Sequence, residues 1–191
     1  MQIGTGLTLL VGGARSGKSD LAVDLGLAWA GPSGGAGTDG RGVTFVATAE
    51  AFDEDMSDRI ERHRLDRPAT WPTVEKPVFG ADDTAQIPSD HLLILDCLTL
   101  LVSNLLFAEQ PITEHVTALA AALAERDGPS IVVSNEVGMG IHPETSLGRI
   151  YRDELGRANR LVAEVSDDAL LIVAGRALPL SPITGIGDVQ L

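Results

Sequence analysis

Residues 12–19 read GGARSGKS, a match to G-x-x-x-x-G-K-[ST], and this octapeptide constrains the chain more than any other stretch. It follows the apolar run Leu7, Thr8, Leu9, Leu10 and Val11 and precedes a helix-compatible stretch over 19–29, the strand-loop-helix setting that such a loop requires. A backbone curling through glycines can turn successive N–H groups inward, and the positive end of the following helix adds favourable potential for an anion. The motif therefore predicts a polyphosphate cradle formed by Gly12, Gly13, Ala14, Arg15, Ser16, Gly17, Lys18 and Ser19. Gly12, Gly13 and Gly17 are read as positions where a side chain would obstruct the approach. Lys18, one of only two lysines in the chain, is expected to reach the β- and γ-phosphates, and the Ser19 hydroxyl to sit on a magnesium ion bridging them.

The rest of the chain alternates short apolar runs with longer helical patterns, as βαβ units on a parallel sheet do. Strands are expected at 7–11, 43–47, 92–96, 130–134 and 170–174, with a short extended piece near 73–75 as a sixth. Helices are expected over 19–29, 54–65, 98–107, 113–126 and 146–165. In the last of these Ile150, Leu155, Ala158, Leu161, Val162 and Val165 form an apolar stripe. The expected fold is α/β, a three-layer P-loop NTPase domain with a mostly parallel central sheet, spanning 1–191 as one domain. Residues 30–42, AGPSGGAGTDGRG, read as a flexible surface loop, and 176–191 as an irregular tail that wraps the domain or crosses to a neighbouring subunit.

A formal net charge of −13 without any basic stripe argues against a protein that grips nucleic acid. The single cysteine, Cys97, excludes an internal disulfide and fits a reducing cytoplasm. The opening MQIGTGLTLLVGG has no basic n-region and is expected to be neither signal peptide nor anchor. The nearly apolar run 92–107 contains Asp96, Ser103 and Asn104 and reads as strand plus helix, not as a membrane span.

The strand 92–96 ends in Asp96, the form of a Walker B element, whose carboxylate helps hold magnesium in phosphate-loop enzymes. The competing reading is that Asp96 caps the helix that follows; a phosphate loop upstream favours the metal role. Between the second strand and the next, His63 sits among Arg59, Arg62, Arg64 and Arg67, four of the twelve arginines in an acidic chain. A neutral imidazole flanked by guanidinium groups can attack phosphorus while the arginines stabilise developing charge. The same charge run also reads as the solvated face of an amphipathic helix.

Taken together, GGARSGKS, ATAEAFDEDM, RIERHRLDRPATW, LDCLTLLVSNLLF and SNEVGMGIHPE closely resemble the bifunctional adenosylcobinamide kinase/adenosylcobinamide-phosphate guanylyltransferase family of cobalamin biosynthesis. The resemblance covers about residues 7 to 175. It implies transfer of the γ-phosphate of ATP or GTP to the aminopropanol hydroxyl of adenosylcobinamide. It then implies attack of a histidine on GTP, release of pyrophosphate, and passage of GMP to the new phosphate to give adenosylcobinamide-GDP. His63 inherits the nucleophile's role, since the other histidines lie outside that block; some relatives carry two adjacent histidines where this chain has Arg62 and His63. Ala47, Thr48, Ala49, Arg64, Leu65, Asp66, Arg67 and Glu75 would line the guanine nucleotide site. A Glu75 carboxylate could accept from the N1–H and exocyclic amine of guanine, donors that adenine does not pair in this way; alone, it reads as an exposed strand-end acid. The resemblance further implies a homo-oligomer, in the family often a trimer.

Several residues carry two readings. Asn135 and Glu136 either position metal or corrinoid, or order the glycine turn that follows them. Trp71 either stacks on a flat ligand or packs in the domain. His142 reads as a polar loop residue, His91 and His115 receive no role, and Cys97 reads as inert. Two competing functions stand beside the bifunctional enzyme: a plain small-molecule kinase in which His63 is incidental, and a nucleotide switch, for which no switch segment or partner face is visible.

Overall fold

The computed structural model describes residues 4, 6–31, 41–50 and 67–183. Its centre is one seven-stranded sheet built from β1 (Leu7–Gly12), β2 (Val43–Ala47), β3 (Thr73–Glu75), β4 (Leu92–Asp96), β5 (Ser130–Asn135), β6 (Asp168–Val173) and β7 (Arg176–Pro179). The spatial order is β3-β2-β4-β5-β1-β6-β7, with every pairing parallel except the antiparallel β6–β7 edge. The helices are α1 (Lys18–Ala30), α2 (Ala81–Thr84), α3 (Leu98–Phe107), α4 (Ile112–Glu125) and α5 (Ser146–Val165).

Period-two alternation assigns each strand residue to one of two cores. Leu7, Leu9, Val11, Leu93, Leu95 and Val132 pack with α3, α4 and α5 on one face. Leu10, Phe45, Ile94, Ile131, Val133 and Ile172 pack with Ala22 and Leu25 of α1, and with Trp71, on the other. Helices on both faces of a mostly parallel sheet give the expected three-layer architecture. Burial on both faces also explains why these strands read as continuous apolar runs.

Several boundaries depart from the sequence expectations. β1 and β5 each run one residue further, to Gly12 and Asn135, while α1 begins at Lys18 and runs through Ala30. Ala30 therefore closes the helix, with Gly31 as its C-cap at φ 69°, and does not open the loop read over 30–42; residues 32–40 lie outside the described residues. The helix expected over 54–65 also lies outside them. α2, four residues long, is below the length at which periodicity can register.

The tail is the main correction. Arg176–Pro179 is not irregular but a strand, because Ala174 at φ 51° and Gly175 at φ 70° make a two-residue turn that folds the chain back onto β6. Positive φ at both central residues is what a tight hairpin needs, and Val173 pairs with Arg176 across it. Pro179 is tolerated because β7 is an edge strand. β6 correspondingly spans Asp168–Val173, with Ala174 in the turn. Residues 184–191 lie outside the described residues.

Candidate active site

Six parallel strands present their carboxyl ends along one edge, and the five ends before β6 frame the site. In sheet order these ends are Glu75, Ala47, Asp96, Asn135 and Gly12, with Glu75 and Asp96 both paired to Ala47 and Asn135 paired to Gly12. Ligands of open α/β sheets bind outside this edge. The octapeptide leaves it at Gly12 and re-enters regular structure at Lys18, so the loop lies over the edge.

The loop's glycines answer to different constraints. A Cβ on Gly12 would lie 2.2 Å from the Ile172 carbonyl oxygen, so Gly12 is required by the close approach of β1 to β6. Gly17 is left-handed at φ 96° and serves as the N-cap of α1 without a side-chain cap, which leaves the first-turn N–H groups of that helix for a ligand. A Cβ on Gly13 meets nothing within 4 Å. The crowding expected at all three positions is thus internal at Gly12 and absent from the protein itself at Gly13. Arg15 is an exposed non-glycine residue at φ 56°, held left-handed within the loop.

Several of the loop's carbonyls are occupied. Gly12 O accepts from Glu136 N at 3.0 Å, Ser16 O from Gly175 N at 3.0 Å, and Gly13 O from Lys18 Nζ at 2.7 Å. Lys18 is 7% exposed and its ammonium also lies 3.4 Å from Ser16 Oγ, so its charge sits inside the loop rather than in solvent.

Ser19 and Asp96 line one cleft of about 190 Å³ together with Asp20, Val23, Asp24, Phe45 and Arg67. The reading of Asp96 as a helix cap does not hold, because the N-cap of α3 is Cys97. A hydroxyl and a carboxylate facing one cleft form an oxygen donor set that suits a hard divalent cation completed by phosphate oxygens. Among the described residues no group of three or more His, Cys, Asp or Glu could hold a metal, so a cation here would need ligand oxygens. The Arg67 guanidinium lies 3.9 Å from the centroid of the Phe45 ring, a cation–π contact that lays a flat cationic surface in the cleft.

Other residues named from the sequence separate into ligand-facing and structural groups. Thr48 is fully buried: its hydroxyl donates to Cys97 O at 2.7 Å and accepts from Cys97 N at 2.9 Å, while Asn104 Nδ2 donates to Thr48 O at 2.9 Å. It stitches the end of β2 to the start of α3. Burial, and secondarily the Asp96 charge, push the Cys97 thiol up to about 12, in keeping with an inert cysteine. Glu75 is exposed at the end of β3. Glu136 orders its own turn, Oε1 accepting from Gly138 N at 2.6 Å, and the Asn135 backbone is held by Thr99 Oγ1 and Asn159 Nδ2 at 2.8 and 3.0 Å. Trp71 is 5% exposed and packs against Gly26 and Ile94, which settles it as a core residue. His91, His115 and His142 contact Thr44 Oγ1, Phe79 O and an Arg152 nitrogen at 2.8, 2.9 and 2.8 Å. His63, Arg64, Leu65 and Asp66 lie outside the described residues.

Four cleft residues escape a motif reading, Val23 being one turn beyond Ser19 on α1. Asp20 and Asp24 follow the loop at helical i, i+4 spacing, so a helical projection from Ser19 could have placed them. Phe45 had no signal, being one apolar residue in an apolar strand.

A glycine loop between a buried strand and a helix, with a carboxylate ending a nearby parallel strand, defines a P-loop nucleotide-binding enzyme. Residues 8–180 match the family model described as cobinamide kinase / cobinamide phosphate guanyltransferase. The chain is 39% identical over 175 residues to the bifunctional adenosylcobalamin biosynthesis protein CobP of Pseudomonas aeruginosa, covering 90% of this chain and 95% of that one. It is 36% identical over 185 residues to the bifunctional adenosylcobalamin biosynthesis protein CobU of Salmonella typhimurium, covering 88% and 96%. Among solved structures, a KaiC-like protein of Pyrococcus horikoshii superposes with a TM-score of 0.52 at 16% identity over 87% of this chain and 70% of that one, a likeness of fold alone. The chain belongs to the cobinamide kinase / cobinamide phosphate guanyltransferase family.

Proposed function

We propose that this chain phosphorylates the aminopropanol hydroxyl of adenosylcobinamide and then guanylylates the product through a histidine intermediate. The observation that carries the reading is the convergence of Ser19 and Asp96 on one cleft beside the phosphate loop, in a chain of this family. In the first reaction the loop N–H groups and Lys18 hold the triphosphate of ATP or GTP. The corrinoid hydroxyl oxygen bonds to the γ-phosphorus, its proton passing to solvent, as the bond to the β-phosphate bridging oxygen breaks and releases the nucleoside diphosphate. Bound by Ser19 and Asp96, a magnesium ion would neutralise phosphate charge.

In the second reaction His63 bonds through an imidazole nitrogen to the α-phosphorus of GTP, and pyrophosphate leaves. A phosphate oxygen of the corrinoid product then displaces the imidazole and takes the GMP, regenerating free His63. Arg64 and Arg67 supply positive charge to the pentacoordinate phosphorus, and Ala47, Ala49 and Glu75, on the same sheet edge as Asp96, face the guanine nucleoside. With its hydroxyl committed to the Cys97 backbone, Thr48 contributes by fixing that edge. The corrinoid is its partner in solution, and the enzyme works as a homo-oligomer in the cytoplasm. Among the described residues no helix is long and apolar enough to cross a membrane.

Incubation with GTP labelled on the α-phosphate should give a protein adduct that is acid-labile and base-stable, with an intact-mass gain of one GMP, and His63→Ala should abolish it. An unchanged mass, or full labelling of the variant, sinks the histidine step and leaves a plain kinase.

A further inference from the structure

The phosphate loop can cradle an anion only if its N–H groups face inward, and in this chain three carbonyls between Gly12 and Ser16 are held by separate donors. Two are local to the motif or to the strand beside it: Lys18 Nζ on Gly13 O, and Glu136 N on Gly12 O. The third comes from the far end of the fold, where Gly175 N donates to Ser16 O at 3.0 Å. A trans peptide unit is planar, so its C=O and the following N–H point in opposite directions. Fixing Ser16 O on the Gly175 side therefore turns the Gly17 N–H to the opposite side, into the cradle.

The donor is itself held in place. Ala174 at φ 51° and Gly175 at φ 70° form the two-residue turn between β6 and β7, and a Cβ on Gly17 would lie 3.6 Å from Gly175 Cα. The same hairpin reaches the other end of the loop, where the Ile172 carbonyl sits 2.2 Å from the site of a Gly12 Cβ. β6 and its turn thus back the loop at both ends, from a segment that carries no nucleotide motif.

We propose that the β6–β7 turn is a positioning device for triphosphate binding and that Gly175 is its positioning residue, through the hydrogen bond to Ser16 O. The inference concerns the holding of the nucleotide, whichever reaction follows, and stands or falls independently of His63.

Three changes in the full chain test it. Gly175→Asn keeps the N–H donor, tolerates the left-handed conformation, and has room, since a Cβ there meets nothing within 4 Å. Gly175→Pro removes the donor and is incompatible with positive φ. Insertion of one glycine between Ala174 and Gly175 keeps the chemistry but displaces the donor. Gly175→Asn is expected to bind Mg·ATP and Mg·GTP within about twofold of the parent. Gly175→Pro and the insertion are expected to raise the nucleotide Kd and KM by about tenfold, the scale of a lost hydrogen bond on an oriented peptide. The KM for the corrinoid, and kcat at saturating nucleotide, should stay within about twofold of the parent. A folded Gly175→Pro or insertion variant with parental nucleotide affinity overturns the proposal. So does an equal loss in all three, or a loss spread over kcat and both KM values. Failure of both donor-displacing variants to fold also overturns it, by making the turn a folding element rather than a positioning one.

Discussion

Gly12 and Gly13 are neighbours in one motif but are glycines for different reasons. At Gly12 the obstacle to a side chain is a backbone carbonyl of β6, an atom that cannot swing aside. Gly12→Ala is therefore expected to destabilise the fold by about 1–3 kcal/mol, the cost of overpacking a rigid contact. In a chain of this size that lowers Tm by roughly 2–4 °C per kcal/mol. Gly13 has open space and no positive φ, so Gly13→Ala should leave stability within about 0.5 kcal/mol. A methyl group there still stands where phosphate must approach, so nucleotide affinity should fall about tenfold or more. Thermal melts paired with nucleotide titrations check both; a stable Gly12→Ala, or a tight-binding Gly13→Ala, would show that the two constraints are misassigned. At this scale Lys18, Ser19 and Asp96 were legible because each belongs to a contiguous motif. The Arg67–Phe45 contact was not, because it joins a residue beyond the second strand to one inside it, and nothing in either local pattern demands the pairing.

Elements were legible in proportion to the length of their pattern. β1, β2, β4 and β5 are runs of buried apolar residues bounded by turns, and α5 carries a stripe in which Leu155, Ala158 and Val162 are buried. The β6–β7 hairpin was missed because its turn, Ala174-Gly175, lacks the Asn or Asp that normally announces two residues at positive φ. The entry to α5 has a distinct local support: Thr145 is its N-cap, and its hydroxyl accepts from Gly148 N at 3.1 Å. Thr145→Ala should cost about 0.5–2 kcal/mol by leaving that donor unpaired. Because Thr145 lies at the entry of α5 and lines no part of the cleft, the loss should appear in denaturant midpoints and not in nucleotide affinity. A nucleotide Kd changed more than about threefold would mean that the cap also shapes the loop over 136–144.

At the scale of the molecule, one sheet edge gathers the phosphate loop, Ser19, Asp96 and Arg67, and this sets a limit on how many triphosphates the described residues can hold at once. The described residues offer one glycine loop with a helix N-terminus behind it, and Ser19 and Asp96 face one cleft beside it. γ-Transfer to a hydroxyl and α-attack by an imidazole would then draw on the same bound triphosphate anchor, with the reaction decided by which nucleophile is presented. Sequence could reach the anchor because it is local, and it offers His63 as a candidate only through resemblance, since an arginine-rich segment is ordinary surface by itself. It could not show that Phe45 and Arg67 wall the same cleft as Ser19 and Asp96, because that depends on β2 lying beside β4 in the sheet. A shared anchor has a kinetic signature. GTP with a methylene group between the α- and β-phosphorus atoms cannot lose pyrophosphate, yet it fills the loop. It should inhibit the ATP-driven kinase reaction competitively with ATP, and suppress labelling by GTP with the same inhibition constant. Two inhibition constants differing by more than about tenfold, or noncompetitive inhibition of the kinase step, would mean that the two reactions use separate nucleotide sites and that the loop at 12–19 serves only one of them.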